Sequence, residues 1–247
     1  MNQKVFQEET EEAEIKLFNE VPVYNNVRAA LIYKLIKGDD IHSVLDIGCG
    51  TGKVANYLSK KGLNVTGIDI SEKLISIANT FVNKNLSFVC SSIDSFKPKE
   101  RFDCILLAGV LEHIQEDDVF LKKCMRFLKD GGKIVITDLP TIQFLNSPRD
   151  VRLGHYRRYT RKGLINLLND CDCDIIKIRY WNFLMLIESI ILRITGKDEY
   201  PYHTLGNFKR WFIGFWYTNI ENRFLIPLGD RFVLVGKALD EYNKSMV

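Results

Sequence analysis

Three alternate glycines, Gly48, Gly50 and Gly52, follow the short apolar run Val44 to Ile47. That run carries one acid, Asp46, and a second acid, Asp69, stands seventeen residues beyond Gly52. Glycines spaced in this way let a chain leave a buried strand and turn tightly into a helix, and they keep side chains out of the space a ligand needs. Asp69 falls at the end of the next apolar run, Leu63 to Ile70. A carboxylate there accepts hydrogen bonds from both hydroxyls of a ribose. The implied chemistry is recognition of a nucleoside.

The loop itself narrows the nucleoside. A pyrophosphate-binding fingerprint reads G-x-G-x-x-G, whereas this chain has G-x-G-x-G with Asp46 two residues before the first glycine. A fixed negative charge at that point disfavours pyrophosphate and favours a sulfonium or an ammonium group. S-adenosylmethionine carries both. The segment Val44 to Gly52 resembles motif I of the class I S-adenosylmethionine-dependent methyltransferases, and Asp69 matches the acid that grips the ribose in this family. The resemblance continues through Phe102 to Ile114, similar to the family's fourth-strand segment, and through Leu128 to Ile136, similar to its turn into the fifth strand, so that it spans about residues 42 to 138. It implies a cofactor site built from Asp46, Gly48, Cys49, Gly50, Gly52, Asp69, Ala108 and Gly109, with Ile70 packed on one face of the adenine and S-adenosylhomocysteine as the product. The plainer alternative is a glycine turn in an unrelated α/β protein, with Asp69 a capping acid before Ser71.

One position departs from the family pattern. After the third strand, members commonly carry an acid, a small or apolar residue and a second acid, the first acid accepting from the adenine amine. Here the triplet is Ser92-Ile93-Asp94. Adenine recognition then passes to the Ser92 hydroxyl, to Asp94 or to the Ile93 amide, and the backbone of Ile93 with Asp94 nearby is the preferred arrangement.

These residues require an alternation of strands and helices. Strands are expected at 43–47, 64–69, 86–90, 102–107 and 132–138, with helices near 52–61, 72–83 and 117–128, preceded by helices at Glu11 to Phe18 and Asn25 to Lys37. Beyond them, Thr160 to Asn169 reads as a helix, Asp174 to Tyr180 as a sixth strand and Arg231 to Leu239 as a seventh. The expected fold is α/β, a doubly wound, seven-stranded Rossmann-like methyltransferase sheet with a helical, apolar insertion between the last two strands. Ligands of such sheets sit at the carboxyl ends of the strands, where Gly48, Asp69, Ile93 and Ala108 all fall. The 247 residues, 46% of them hydrophobic, suffice for one substantial core. The economical division is a single domain: N-terminal helices (1–40), cofactor-binding core (41–140), lid and sixth strand (141–180), helical cap (181–229), last strand and tail (230–247).

Composition removes several function classes. With 34 basic and 31 acidic residues the chain lacks the surplus of positive charge expected of a tRNA- or rRNA-binding protein, and no nucleic-acid partner is expected. The six cysteines show no C-x-x-C spacing and read as buried, reduced thiols. No metal-ligand spacing appears either, so no metal is expected. The polar, acidic stretch Met1 to Glu14 has no apolar signal core, which makes a reducing cytoplasm the expected location.

The acceptor site has two candidate regions. Gly154-His155-Tyr156-Arg157-Arg158-Tyr159 follows a loop with Pro140, Pro148 and Asp150, expected to form a lid, and resembles a Gly-His-x-Arg-Arg-Tyr segment of one small-molecule branch of these methyltransferases. His155 is the first candidate for a base that deprotonates the acceptor, Arg157 and Arg158 for orienting an anionic part of it, and Tyr156 and Tyr159 for shaping the pocket. His113 is the rival base, although Leu-Glu-His-Ile is shared by members with different substrates. The second region is the insertion. Residues 183–194, interrupted by Glu188 and Arg193, fall short of the roughly 20 apolar residues of a membrane span. They fit a substrate cap, a homodimer contact, or an interfacial helix acting with Lys209, Arg210, Trp211, Phe212, Phe215 and Trp216 at a membrane surface.

Taken together, these features predict transfer of a methyl group to an oxygen of a small or lipid-like acceptor, with nitrogen of an amino sugar and carbon of a quinone as alternatives on the same scaffold. Two readings of other classes are a nicotinamide oxidoreductase, disfavoured by Asp46 and the glycine spacing, and a methyltransferase-like scaffold without turnover.

Overall fold

The computed structural model describes residues 11, 12, 15, 22–38, 40–141, 154–195 and 207–239. The expected helix Glu11 to Phe18 and the lid residues Pro148 and Asp150 lie largely or wholly outside them. Helix α1 (Pro22–Ile36) precedes β1 (Ser43–Ile47), α2 (Lys53–Lys60), β2 (Asn64–Asp69), α3 (Glu72–Ala78), β3 (Leu86–Cys90), β4 (Phe102–Ala108), α4 (Asp117–Met125) and β5 (Leu128–Pro140). Then come α5 (Arg161–Asn169), β6 (Cys173–Trp181), α6 (Phe183–Thr195), α7 (Asn207–Trp216) and β7 (Arg231–Ala238). The strands form one sheet in the order β3-β2-β1-β4-β5-β7-β6, parallel from β3 to β5, with β7 antiparallel to both β5 and β6. The expected seven-stranded α/β sheet is thus present, with the apolar insertion between β6 and β7.

Both faces of the central strands are covered, which is why β1 and β4 read as continuous apolar runs. Leu45, Ile47, Ile105, Leu107, Ile134 and Ile136 pack on one face with Leu121 and Met125 of α4 and Leu164 and Leu168 of α5. Val44, Val65, Cys104, Leu106 and Val135 pack on the other with Ala29, Ile32 and Ile36 of α1 and Val54, Ala55 and Leu58 of α2. The insertion is anchored separately, Trp181 and Tyr217 meeting Val27 and Leu31 of α1 and Val233 of β7.

Three expected elements shift. The helix after residue 117 stops at Met125, because the Phe127 carbonyl already accepts from the Phe102 amide at 2.8 Å and the chain is committed to the sheet. β5 accordingly starts at Leu128, not 132; its register on β4 slips between Phe102 and Cys104, and Gly131 takes φ 65°, the signature of a bulge. The helix from 72 ends at Ala78 and gives way to a single 3₁₀ turn, Asn79–Phe81. Of the six cysteines five are buried as expected, but Cys90, at the exposed end of edge strand β3, is not. Ser71, and not Asp69, caps α3, its side chain accepting from the Leu74 amide at 3.2 Å.

Candidate active site

The glycine loop joins β1 to α2 and is tied to the neighbouring strand, since the amides of Gly48 and Cys49 both donate to the Ile68 carbonyl at 2.8 and 3.0 Å. Gly52 stands at φ 75°, where an L side chain is strained, and an added Cβ would lie 2.6 Å from Phe88 Cζ and 2.9 Å from Ala78 Cβ. Backbone alone fits between β1, β3 and α3. Asp46 is 1% exposed beneath the loop.

Asp69 ends β2 beside this loop. One carboxylate oxygen accepts from the Gly50 amide and the other from the Ser71 amide, both at 2.9 Å. Burial pushes its pKa above the ordinary value, while those amide bonds and one from Ile70 pull the other way. A carboxylate has about four lone-pair sites, so each oxygen keeps capacity for a further donor. The fixed carboxylate and the glycine cradle fit the sugar of an adenosine cofactor. Ile70, next along, is 64% exposed. An aliphatic side chain left in solvent at a strand end is available to a flat ring.

In the triplet after β3, the side chains of Ser92 and Asp94 are engaged with neighbouring residues. The Ser92 hydroxyl is turned into a local serine pair, donating to Ser95 Oγ and accepting from the Ser95 amide, each at 3.2 Å. Asp94 is exposed and ion-paired to Lys123 of α4 at 2.7 Å. Ile93 is half-buried against the core.

At the end of β4, Gly109 has φ 76°, and a Cβ there would meet Arg28 Nη1, Asp138 Cβ and Glu112 Oε1, each at 3.9 Å. These three side chains therefore wall the space above Gly109. Asp138, itself at φ 67°, accepts from Tyr24 Oη at 2.8 Å, from Arg28 at 3.2 Å and from Thr137 Oγ1 at 2.7 Å. Burial alone would raise its pKa, yet Arg28 and these hydrogen bonds outweigh it and hold the carboxyl below its usual value. Glu112 contrasts with it. At 3% exposure, in the turn Leu111–His113, its carboxyl is pushed by burial up to about 8.

The Gly-His-x-Arg-Arg-Tyr segment lies against the same edge. The Tyr156 amide donates to the Glu112 carbonyl at 2.8 Å, and the rings of His155 and His113 meet edge to face with centroids 5.0 Å apart. The two candidate bases are therefore neighbours. The arginines expected to orient an acceptor anion point elsewhere. Arg157 pairs with Asp117 at 2.8 Å and bonds the Gln115 carbonyl, while Arg158 bonds the Thr141 carbonyl at 3.0 Å and faces Asp230 at 3.6 Å. Tyr159 is buried, its hydroxyl between Asp117 Oδ2 at 3.0 Å and the Leu111 carbonyl at 3.1 Å. Tyr156 is exposed.

Sequence reading left Tyr24, Arg28, Asp138 and Glu112 out of the candidate site. Tyr24 and Asp138 are 114 positions apart, and no spacing rule joins them. The available signal was only the placement of a polar Thr137-Asp138 pair at the carboxyl end of an apolar strand.

Comparison with known proteins agrees with this fold. A family model described as a methyltransferase domain matches residues 45–136. A ubiquinone biosynthesis O-methyltransferase of Coxiella burnetii is 35% identical over 188 residues, 74% of this chain and 76% of that protein. The protein of the same name from Bradyrhizobium diazoefficiens is 38% identical over 99 residues, 39% of each chain. Among solved structures, the plantazolicin methyltransferase BpumL in complex with SAH superposes with a TM-score of 0.59 at 21% identity, over 92% of this chain and 88% of that one.

Proposed function

Because the chain belongs to the class I S-adenosylmethionine-dependent methyltransferases, we propose that it methylates an oxygen of a small, lipophilic, phenol- or quinol-like acceptor held above Gly109. When bound, S-adenosylmethionine supplies an electrophilic methyl group on a sulfonium. Asp69 holds the ribose hydroxyls, Asp46 places negative charge near the sulfonium and ammonium, and Ile70 covers one adenine face. The Ile93 backbone, with Asp94 nearby, recognises the adenine edge. Ser92, committed to Ser95, supports that turn. Ala108, Cys49 and the loop glycines leave room for the cofactor's body.

His155 is the base for the acceptor hydroxyl, with His113 packed edge-on beside it to fix the ring. Tyr156 borders the acceptor. Arg157, Arg158 and Tyr159 hold the histidine segment to α4 and β7 through Asp117 and Asp230. The observation that carries this reading is the convergence of His155, His113, Glu112 and Arg28 on the strand end next to Gly109. Transfer of labelled methyl from S-adenosylmethionine to a catechol bearing a short prenyl tail tests it: the native protein turns over and His155→Ala does so at least tenfold more slowly. Absence of transfer to oxygen acceptors, with transfer to an amino sugar or a quinone carbon, refutes the O-methylation reading.

A second observation concerns where the acceptor comes from. Ile187, Ile190, Ile191 and Ile194 lie at helical spacing along α6 and are exposed, as are Trp211, Phe212 and Phe215 on α7. No helix among the described residues is long and apolar enough to cross a membrane. This face is proposed to rest on a lipid surface from which a lipophilic acceptor is drawn. Flotation with phospholipid vesicles tests it, and a stable dimer that buries these residues would replace it.

A further inference from the structure

The site contains a buried acid that the proposed mechanism leaves idle. Glu112 sits on the turn directly after β4, and one of its carboxylate oxygens lies within 4.8 Å of a ring nitrogen of His155 and of His113. Its backbone is fastened to the histidine segment by the Tyr156 amide. Oε1 rims the open space beside Gly109, and Oε2 is buried with no hydrogen-bond partner among the described residues. A buried carboxyl that lacks a donor for one oxygen is costly as a resting anion.

We propose that Glu112 is the positioning residue that takes up the proton leaving the acceptor, through the His155 imidazole. The inference rests on His155 being the base. As the acceptor oxygen bonds the methyl carbon, the carbon–sulfur bond breaks with its electron pair on sulfur. The hydroxyl proton moves to one imidazole nitrogen, and the other nitrogen passes its own proton to the Glu112 carboxylate. Solvent later removes that proton. Arg231 of β7 and Arg28 of α1 face Glu112 and favour the anion. Asp138 of β5 opposes it, and the Tyr159 hydroxyl and both imidazoles complete the titratable surroundings. Burial dominates and sets the carboxyl near 8, so the acid is protonated at neutral pH and becomes able to accept only as the pH rises.

Two measurements test this. In kcat against pH with the prenylated catechol, the native enzyme gains activity through an inflection near 8. Glu112→Gln loses that limb and at least tenfold in kcat, with KM for both substrates within about twofold of native and partial recovery in Glu112→Asp. An acceptor already ionised at neutral pH, 4-nitrocatechol, narrows the difference between native and Glu112→Gln. In proton NMR, the His155 ring signal, assigned with His155→Asn, shifts near pH 8 in the native protein and not in Glu112→Gln. The proposal is overturned if Glu112→Gln keeps the native kcat and pH profile, if the His155 signal has no inflection near 8, or if a chelator abolishes turnover and a divalent ion restores it. Undiminished turnover of His155→Ala refutes the base assignment beneath it, whereas an inactive His155→Ala with a normal Glu112→Gln refutes this proposal alone.

Discussion

Gly52→Ala isolates the physical demand of the cofactor loop. Two costs add. An alanine at φ 75° occupies left-handed backbone, which costs about 1–2 kcal/mol. Its methyl would also lie 2.6 Å from Phe88 Cζ and 2.9 Å from Ala78 Cβ, and overpacking of a fitted interior costs about 1–3 kcal/mol. Phe88 can swing, but Ala78 is fixed in α3, so the clash is not fully relieved. A net loss of about 3 kcal/mol lowers Tm by about 6–12 °C for a chain of this size. Thermal unfolding followed by circular dichroism reads the loss, and titration with S-adenosylmethionine reads the displacement of the loop. Phe88→Leu in the Gly52→Ala background removes the aromatic part of the clash and recovers about half the deficit, leaving the backbone strain. Native stability and cofactor affinity in Gly52→Ala would refute the claim that only backbone fits here.

Tyr159→Phe removes the hydroxyl that bridges Asp117 and the Leu111 carbonyl. The expected loss is about 1–2 kcal/mol, or about 4 °C in Tm, with cofactor affinity preserved. Asp103 is held down at about 2 by Lys129 and by the amides and hydroxyl at the start of β1, even though burial acts in the opposite direction. A depressed folded-state pKa stabilises above the unfolded value and is lost as pH falls through the folded one. Asp103→Asn therefore destabilises at pH 7, and native and variant stabilities converge between about pH 4 and pH 2 in urea titrations. Ile194, 79% exposed at the end of α6, tests the lipid face. Ile194→Asp lowers vesicle flotation severalfold while leaving turnover of a water-soluble catechol unchanged, and equal flotation would contradict the assignment.

Legibility in the sequence followed the range of the interactions. The cofactor half was readable because its determinants are local: β1, the glycine loop and Asp69 lie within 27 residues, and the apolar runs of β1 and β4 state their own burial. The boundaries of β5 were not, because its first residues are recruited by pairing with Phe102 through a bulge, and Leu128-Lys129-Asp130 has no strand pattern of its own. The histidine segment was singled out by its residue types, but the destinations of its arginines depend on Asp117 and Asp230, 40 and 72 positions away from their partners. Glu112 looked unremarkable beside His113, since nothing local announces that β5, β7 and α1 will close around it. The insertion was correctly recognised as apolar, and its exposed isoleucine face follows from spacing alone.

The most direct test of the account is a calorimetric titration of the protein and its Asp69→Ala variant with S-adenosylmethionine, with NADH as the control ligand. The carboxylate is fixed by Gly50 and Ser71 with lone pairs left for the proposed ribose contact, and charged hydrogen bonds of this kind are worth at least about 1.5 kcal/mol. The account predicts micromolar binding of S-adenosylmethionine, at least about tenfold weaker in Asp69→Ala, and no binding of NADH. Binding that is indifferent to Asp69, or a preference for NADH, would contradict it.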